Sequence, residues 1–313
     1  MKASVGLAIT LALTAVILFD VMGLIIKHLS LRYGAAELSA YRNFFGIFPS
    51  VLALWSSRQW HASGCPLRLR QWKLGLMRGL YVTVAQFLFY YSLGVLPFAT
   101  ASTITYANAI FVTALAVPLL SERVGWIRWA AVLMGFGGVI MVMQPGSDSF
   151  TYVAVAPLGA AFLYALAGVT ARLMDTDVPS PLINLYSTIA ALIGSLCLAL
   201  AIGNFTPIAS LSDLFWIFAM GAVGGTAVLC MVVSYRMTEQ SNLAPFSYFG
   251  IPIAFVLGWI FFDETPYNAL FPGVFLIIGG GLLVIWRERR LRAASAPAQL
   301  GDKSQTSAKL GDV

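Results

Sequence analysis

Two ionisable side chains, Asp20 and Arg42, lie within the first two long apolar segments of the sequence. A charged group inside a membrane is costly, and for that reason it is a functional candidate. At a rise of about 1.5 Å per helical residue, Asp20 lies ~13 Å and Arg42 ~9 Å inward from the same end of two adjacent helices. Together they would form either a proton site or a grip on a substrate carboxylate, or a structural ion pair that fastens the first helix to the second. We prefer the structural pair.

Polar and aromatic side chains near the middle of other apolar segments have the types that would bind a zwitterion or an aromatic ring. There are seven of them: Tyr81, Gln86, Tyr90, Tyr106, Asn108, Tyr164 and Tyr248. Taken singly, each is better explained as a core or lipid-belt residue, but the set as a whole is better explained as a site. Gln86 and Asn108 carry most weight, because amides at mid-depth need hydrogen-bond partners. Arg78 is given little weight, because it lies near a helix end and can extend to the membrane surface.

Other kinds of chemistry lack their residues in this sequence. The three cysteines are scattered and form no CxxC, so we predict neither a metal site nor a disulfide. No phosphate-binding loop is present, because the glycine runs follow no strand and precede no Lys-Ser/Thr pair. An intramembrane enzyme would need paired carboxylates or a Ser/His pair at depth, and the two histidines, His28 and His61, lie at segment ends. No cofactor is expected.

The segments that carry these residues are membrane helices. Only 10% of the 313 residues are charged, whereas soluble domains carry about 25%, so most of the surface cannot face water. Because a spanning helix needs roughly 20 apolar residues, the chain divides into ten predicted helices. They cover 5–28, 37–56, 74–94, 99–119, 126–144, 151–172, 181–202, 213–235, 241–261 and 268–286. The first of them is interpreted as a retained helix rather than a signal peptide, and residues 291–313 as a disordered cytoplasmic tail.

The distribution of basic residues predicts the orientation of the helices. Lys27 and Arg32 are the basic residues of one side, and the side of both chain ends carries thirteen up to Arg292. These are Lys2, Arg58, Arg68, Arg70, Lys73, Arg123, Arg128, Arg172, Arg236, Arg287, Arg289, Arg290 and Arg292. By the positive-inside rule both termini are cytoplasmic, in what would be a bacterial inner membrane.

The two halves of the chain repeat each other. An offset of 142 residues pairs Glu122 with Glu264 and Tyr106 with Tyr248, and an offset of 145 pairs Lys27 with Arg172. Each half, 1–146 and 147–290, therefore holds five helices, and an odd number makes the second half insert upside down. Tyr106 and Tyr248 are expected to approach each other across the pseudo-twofold axis. Pro97 and Pro252 are hinge candidates, because proline removes a backbone donor.

A family resemblance rests on four features taken in order. These are AELSAYRNFFG around Arg42, YYSLGVLPFATASTI before the fourth helix, the turns LLSERV and FFDET, and the glycine-rich fifth and tenth helices. The chain resembles the drug/metabolite transporter superfamily, in particular the EamA-type ten-helix group, over nearly its whole length. One departure is Asn108-Ala109-Ile110, where the family often has a proline.

The resemblance implies an all-α polytopic membrane protein that moves a small molecule by alternating access. The chain looks similar to the branch that exports aromatic and other neutral amino acids. An importer of riboflavin, S-adenosylmethionine or a similar metabolite is the alternative. No nucleic-acid partner is expected, and a monomer is preferred over a dimer.

Overall fold

The computed structural model of the chain is a bundle of α-helices. It describes residues 5–121, 125–143, 151–175, 177–203, 205–238, 243, 246–264, 272–276, 278–280, 282–283 and 286, and no strand occurs in that part of the chain. The helices are α1 Val5–Leu29, α2 Ala35–Trp55, α3 Arg58–Ala62, α4 Trp72–Val95, α5 Phe98–Thr105, α6 Asn108–Leu120, α7 Trp126–Met143, α8 Val155–Arg172, α9 Ser180–Ile202, α10 Leu211–Met237 and α11 Gly250–Phe262. Residues 272–276 and 278–280 are also helical.

Most of the predicted helices are present within a few residues of their expected bounds. Five of the described helical segments are long and apolar enough to cross a membrane, namely Gly6–Leu29, Phe98–Leu120, Tyr152–Arg172, Ser180–Ile202 and Leu211–Met237. The short helix α3, between α2 and α4, was not expected; the Ser57 hydroxyl caps it by accepting a hydrogen bond from the Trp60 N–H. The predicted tail 291–313 and parts of the predicted ninth and tenth helices lie outside the described residues.

The fourth predicted helix is not continuous. It is divided into α5 and α6 by a turn at Tyr106 and Ala107, where the Ala109 N–H bonds to the Tyr106 carbonyl across three residues instead of four. The ninth predicted helix has a turn at the repeat-related position, where the Ile251 N–H bonds to the Tyr248 carbonyl. Both turns replace an α-helical hydrogen bond by a tighter one, which is a common feature of functional hinges.

The two prolines that were predicted as hinges, Pro97 and Pro252, lie outside these two turns. Pro97 is the N-cap of α5 in an extended conformation, and Pro252 lies in the first turn of α11. At these positions the missing N–H has no intrahelical partner to lose, so the prolines begin helices and do not interrupt them.

Helices of the two halves are interleaved. Helix α1 packs on α10, α2 on both α9 and α10, and α4 on both α8 and α9. The repeat relates α1 to α8, α2 to α9 and α4 to α10. Exchanging these partners turns the α1–α10 contact into the α8–α4 contact, and the α2–α10 contact into the α9–α4 contact, and all four are observed. The packing therefore follows a pseudo-twofold axis, as expected for an inverted repeat.

Small residues allow the closest of these contacts. A Cβ atom on Gly225 of α10 would lie 2.7 Å from the Gly46 carbonyl oxygen of α2, and one on Gly79 of α4 would lie 2.7 Å from the Ser187 carbonyl oxygen of α9. Buried amides add polar contacts between the same helices: Asn184 Nδ2 donates to the Ser50 hydroxyl at 2.8 Å. Small residues and amides of this kind hold helices together where lipid removes the hydrophobic driving force.

Candidate functional site

A cavity lies among α1, α2, α4, α5, α8 and α10. Its empty space, including the open mouth, is about 1110 Å³. Most of the predicted site residues line it: Asp20, Arg42, Gln86, Tyr90, Tyr106, Asn108 and Tyr164. Helices of both halves supply polar side chains, with Tyr164 of α8 and Tyr235 of α10 coming from the second half, so the site belongs to both halves.

Two predicted site residues do not line the cavity. Tyr248 is buried in the apolar core, with 8% of its surface exposed, and its neighbour Ser247 lines the cavity instead. Tyr81 is half-buried on a face of α4 different from the cavity face. The reason is helical spacing: Arg78, Val82, Gln86 and Phe89 lie on a single face, and Tyr81, although three residues from Arg78, is rotated about 100° from the middle of that face.

Asp20 is bound by the tyrosine of the helix break. The Tyr106 hydroxyl donates to Asp20 Oδ1 at 2.7 Å, while Oδ2 is buried without a partner. The Tyr106 ring contacts Gly250 at the start of α11, and a Cβ at position 250 would overlap the ring. Tyr106 therefore connects the carboxylate of α1 to the helix break of the other half.

The structure does not contain the expected ion pair between Asp20 and Arg42. Arg42 donates to Asn43 Oδ1 at 3.0 Å and to the Gly224 carbonyl oxygen at 2.8 Å, and its Nε has no partner. The absence of a side chain at Gly224 exposes that carbonyl, because a Cβ there would lie 2.9 Å from Arg42 Nε. The estimated depths of the two residues are similar, but Asp20 bonds to Tyr106 and Arg42 bonds to Asn43 and Gly224, and the two do not bond to each other.

The two amides at mid-depth have different surroundings. Gln86 forms a mutual pair with Asn43, in which Asn43 Nδ2 donates to Gln86 Oε1 at 2.8 Å and Gln86 Nε2 donates to Asn43 Oδ1 at 3.2 Å. This pair fastens α2 to α4. Asn108 Oδ1 and the Tyr90 hydroxyl are buried without partners and belong to cavity-lining residues. Gln86 therefore positions helices, while Asn108 and Tyr90 have free hydrogen-bonding capacity.

Arg78 is a cavity residue that the sequence interpretation missed. It is only 4% exposed, and its Nε donates to the Ala167 carbonyl oxygen of α8 at 2.8 Å. Its position near the end of α4 suggested a side chain that reaches the membrane surface, but α8 packs against α4 and covers it. Its spacing of eight residues from Gln86 is the signal that indicates a common face.

One end of the bundle is closed by an ion pair. We call the end at Leu29 and Glu264 the far end, and the end at Trp72 and Met237 the near end. At the far end, Lys27 Nζ lies 2.5 Å from Glu264 Oε1 and 2.9 Å from the Leu96 carbonyl oxygen. Glu264 Oε2 accepts from the Phe98 N–H at 2.6 Å. These contacts tie α1 and the start of α5 to the segment after α11.

The internal repeat, the interleaved halves and the polar cavity define a membrane transporter of the inverted-repeat class. The model of the EamA-like transporter family matches the chain twice, over residues 6–144 and 151–286. The chain therefore belongs to this family, which is part of the drug/metabolite transporter superfamily.

Several curated proteins are similar to the chain over most of its length. An S-adenosylmethionine uptake transporter of Rickettsia bellii is 24% identical over 274 residues, covering 87% of this chain and 89% of the relative. A riboflavin transporter of Vibrio cholerae is 24% identical and covers 90% of this chain and 93% of its own. The pseudopaline exporter CntI of Pseudomonas aeruginosa is 25% identical, with coverages of 88% and 93%.

A solved crystal structure has the same fold. Its TM-score is 0.68 at 21% identity, and the alignment covers 91% of this chain and 98% of the solved chain. The names of the relatives differ from the expected amino-acid exporter, and they include both uptake and export. The family and the transport of a small molecule are therefore shown, and the substrate and direction belong to a proposal.

Proposed function

We propose that the chain is a secondary transporter for a small metabolite that carries an α-amino-acid group. The observation that carries this proposal is the free Asp20 Oδ2 in a cavity that also contains Arg42 at similar depth. A buried charge needs a partner of opposite sign. A cargo ammonium group would satisfy Asp20, and a cargo carboxylate would meet the unpartnered Nε of Arg42.

Aromatic rings around these charges support a cargo with an apolar or aromatic part. Phe19, Phe89, Tyr90, Tyr106 and Tyr164 line the cavity. Ring faces attract cations and stack on planar groups. Free aromatic amino acids and S-adenosylmethionine both combine an α-amino-acid group with a ring, so both belong to the proposed class.

Riboflavin is a second candidate, favoured by different atoms of the cavity. It lacks an amino-acid group, and it would bind through neutral acceptors and donors such as Asn108 Oδ1 and the Tyr90 hydroxyl, which have no partner. In that case Asp20 would be expected to have little influence on binding.

Transport is proposed to occur by alternating access, with the halves 1–146 and 147–290 moving against each other. The breaks at Tyr106 and Tyr248 lie against the other half and each contains a tighter hydrogen bond than an α-helix, which supports them over Pro97 and Pro252 as the positions that bend. In the structure the far end is tied by Lys27 and Glu264, whereas cavity-lining residues continue to Tyr235, near the near end. A carrier of this kind transports along the cargo gradient, so we expect export when the cell accumulates the cargo.

We further propose a monomer in the bacterial inner membrane with both termini in the cytoplasm. The excess of Lys and Arg on the side of the chain ends supports this orientation. Both halves contribute to one cavity, so a single chain forms a whole pathway.

Flux into proteoliposomes tests the proposed cargo. Labelled phenylalanine, threonine, S-adenosylmethionine and riboflavin are compared for the unchanged protein and for Asp20→Asn, with Asp177→Asn as control because Asp177 is exposed outside the cavity. We expect saturable flux of at least one amino-acid compound, reduced about tenfold or more by Asp20→Asn. Flux of riboflavin alone, insensitive to Asp20→Asn, would contradict the proposal and favour the second candidate.

A further inference from the structure

Arg78 has a guanidinium group that the protein leaves partly unpaired inside the cavity. One hydrogen bond joins its Nε to the Ala167 carbonyl oxygen, and Nη1 is buried with no partner. The side chain lines the same cavity as Asp20 and Arg42. A guanidinium has five N–H donors, so a single backbone contact leaves most of them available.

The charges of the cavity do not balance. Among its described lining residues Asp20 is the one acidic side chain, while Arg42 and Arg78 are both basic. The ion pairs of the described residues, Lys27 with Glu264 and Arg32 with Asp213, include none of the three. An unpaired buried charge is strongly unfavourable unless a ligand or water compensates it. The excess of one positive charge indicates that an anionic group enters from outside.

Arg78 lies at a different level from the central charges. It is six residues from the start of α4 at the near end, or about 9 Å, whereas Asp20 is fifteen residues from the start of α1, or about 22 Å. Tyr235 of α10 and Ala167 of α8 surround it near their own near-end termini. Arg78 therefore lies on the part of the cavity between the near end and the Asp20 level.

We infer that Arg78 is a second anion-binding position, which binds the carboxylate group of the cargo between the near end and the central site. This inference rests on the proposed function, because it needs a cargo with a carboxylate. Arg78 is then a specificity-determining residue: it favours carboxylate-bearing compounds over otherwise identical compounds without that charge. A forked guanidinium suits this role, because it can hold both oxygens of a carboxylate at once.

Pairs of compounds that differ in the carboxylate test the inference. Equilibrium binding to the purified full-length protein in lipid nanodiscs is measured for phenylalanine against phenylalaninamide, and for S-adenosylmethionine against its decarboxylated analogue. We expect the unchanged protein to prefer the carboxylate member of a pair about tenfold or more, and Arg78→Gln to reduce that preference to the part that Arg42 provides. Lys73→Gln is the matched control, because Lys73 is an exposed cation on the same helix, and it should keep the preference.

The outcomes separate this inference from the proposed function. An Arg78→Gln protein that loses affinity for both members of a pair by the same factor would indicate a structural residue and overturn the inference, as would unchanged binding of both. If the unchanged protein binds neither pair, the proposed cargo class fails as well. Should Arg78→Gln not fold, Arg78→Lys keeps the charge and loses the fork. A reduced preference in Arg78→Lys supports the inference, and an unchanged one contradicts it.

Discussion

The Lys27–Glu264 pair gives the sharpest prediction about how the far end opens. The two side chains are only 16% and 15% exposed, so solvent screens their attraction weakly. Glu264 also accepts from the Phe98 N–H, and Lys27 also donates to the Leu96 carbonyl. We expect Lys27→Gln or Glu264→Gln to weaken closure of this end, because each leaves the other charge without its partner.

The size of the effect follows from this partial burial. Removing one partner of a fully buried pair costs about 3–5 kcal/mol, and an exposed pair contributes about 0–1 kcal/mol. With about one sixth of each side chain exposed, we expect ~2 kcal/mol, or roughly a 30-fold shift of the equilibrium between closed and open. The exchange Lys27→Glu with Glu264→Lys should recover much of the loss, because it restores the opposite charges.

Accessibility of the cavity measures this equilibrium. The three native cysteines are replaced by serine, and a cysteine is introduced at Ser102, which lines the cavity and is 3% exposed. Its reaction with a membrane-impermeant thiol reagent added at the far end should accelerate about tenfold or more in either single variant and slow again in the exchanged variant. Equal rates in all four proteins would refute the assignment of this pair as the closure of the far end.

The helix-break contact and the amide pair give two further predictions. Gly250→Ala should strongly reduce transport and thermal stability, because the added Cβ overlaps the Tyr106 ring; Gly137→Ala, where no atom lies within 4 Å, should be neutral or slightly stabilising in the same melting and flux assays. Asn43→Leu should destabilise by about 1–3 kcal/mol, because Gln86 is left buried and unpaired. Adding Gln86→Leu should recover part of that loss in thermal unfolding, and a strictly additive double variant would contradict mutual pairing.

The candidate site was predictable as a set of residues but not as a set of contacts. Hydropathy located Asp20, Arg42 and the amides at depth, and the structure brings most of them to one cavity. The partners of each side chain depend on atoms from helices far away in the chain. Arg42 is bound by the Gly224 carbonyl, which lies 182 residues away, so spacing along the chain could not identify it.

The predictions for Arg78 and Tyr248 were both wrong about the surroundings of the side chain: Arg78 was expected outside the site and lines it, and Tyr248 was expected in the site and does not. Arg78 was given little weight because of its place in its own helix, and it is buried because α8 packs against α4. Tyr248 was expected to face the site through its repeat relation to Tyr106, and it is buried in the core instead. Burial depends on neighbouring helices, and a repeat in sequence does not require the same environment in both copies.

The sequence by itself determined the class of the molecule. Low charge, apolar segments of membrane length and a repeat over an odd number of helices leave few arrangements, because lipid requires every backbone polar group to be satisfied within its own helix. Only the tertiary structure decided which polar atoms are left free. Asp20 Oδ2, Arg78 Nη1 and Asn108 Oδ1 are buried without a hydrogen-bond partner, and the groups that could pair with them would come from helices distant in the chain. Those remaining atoms define what the cavity can bind.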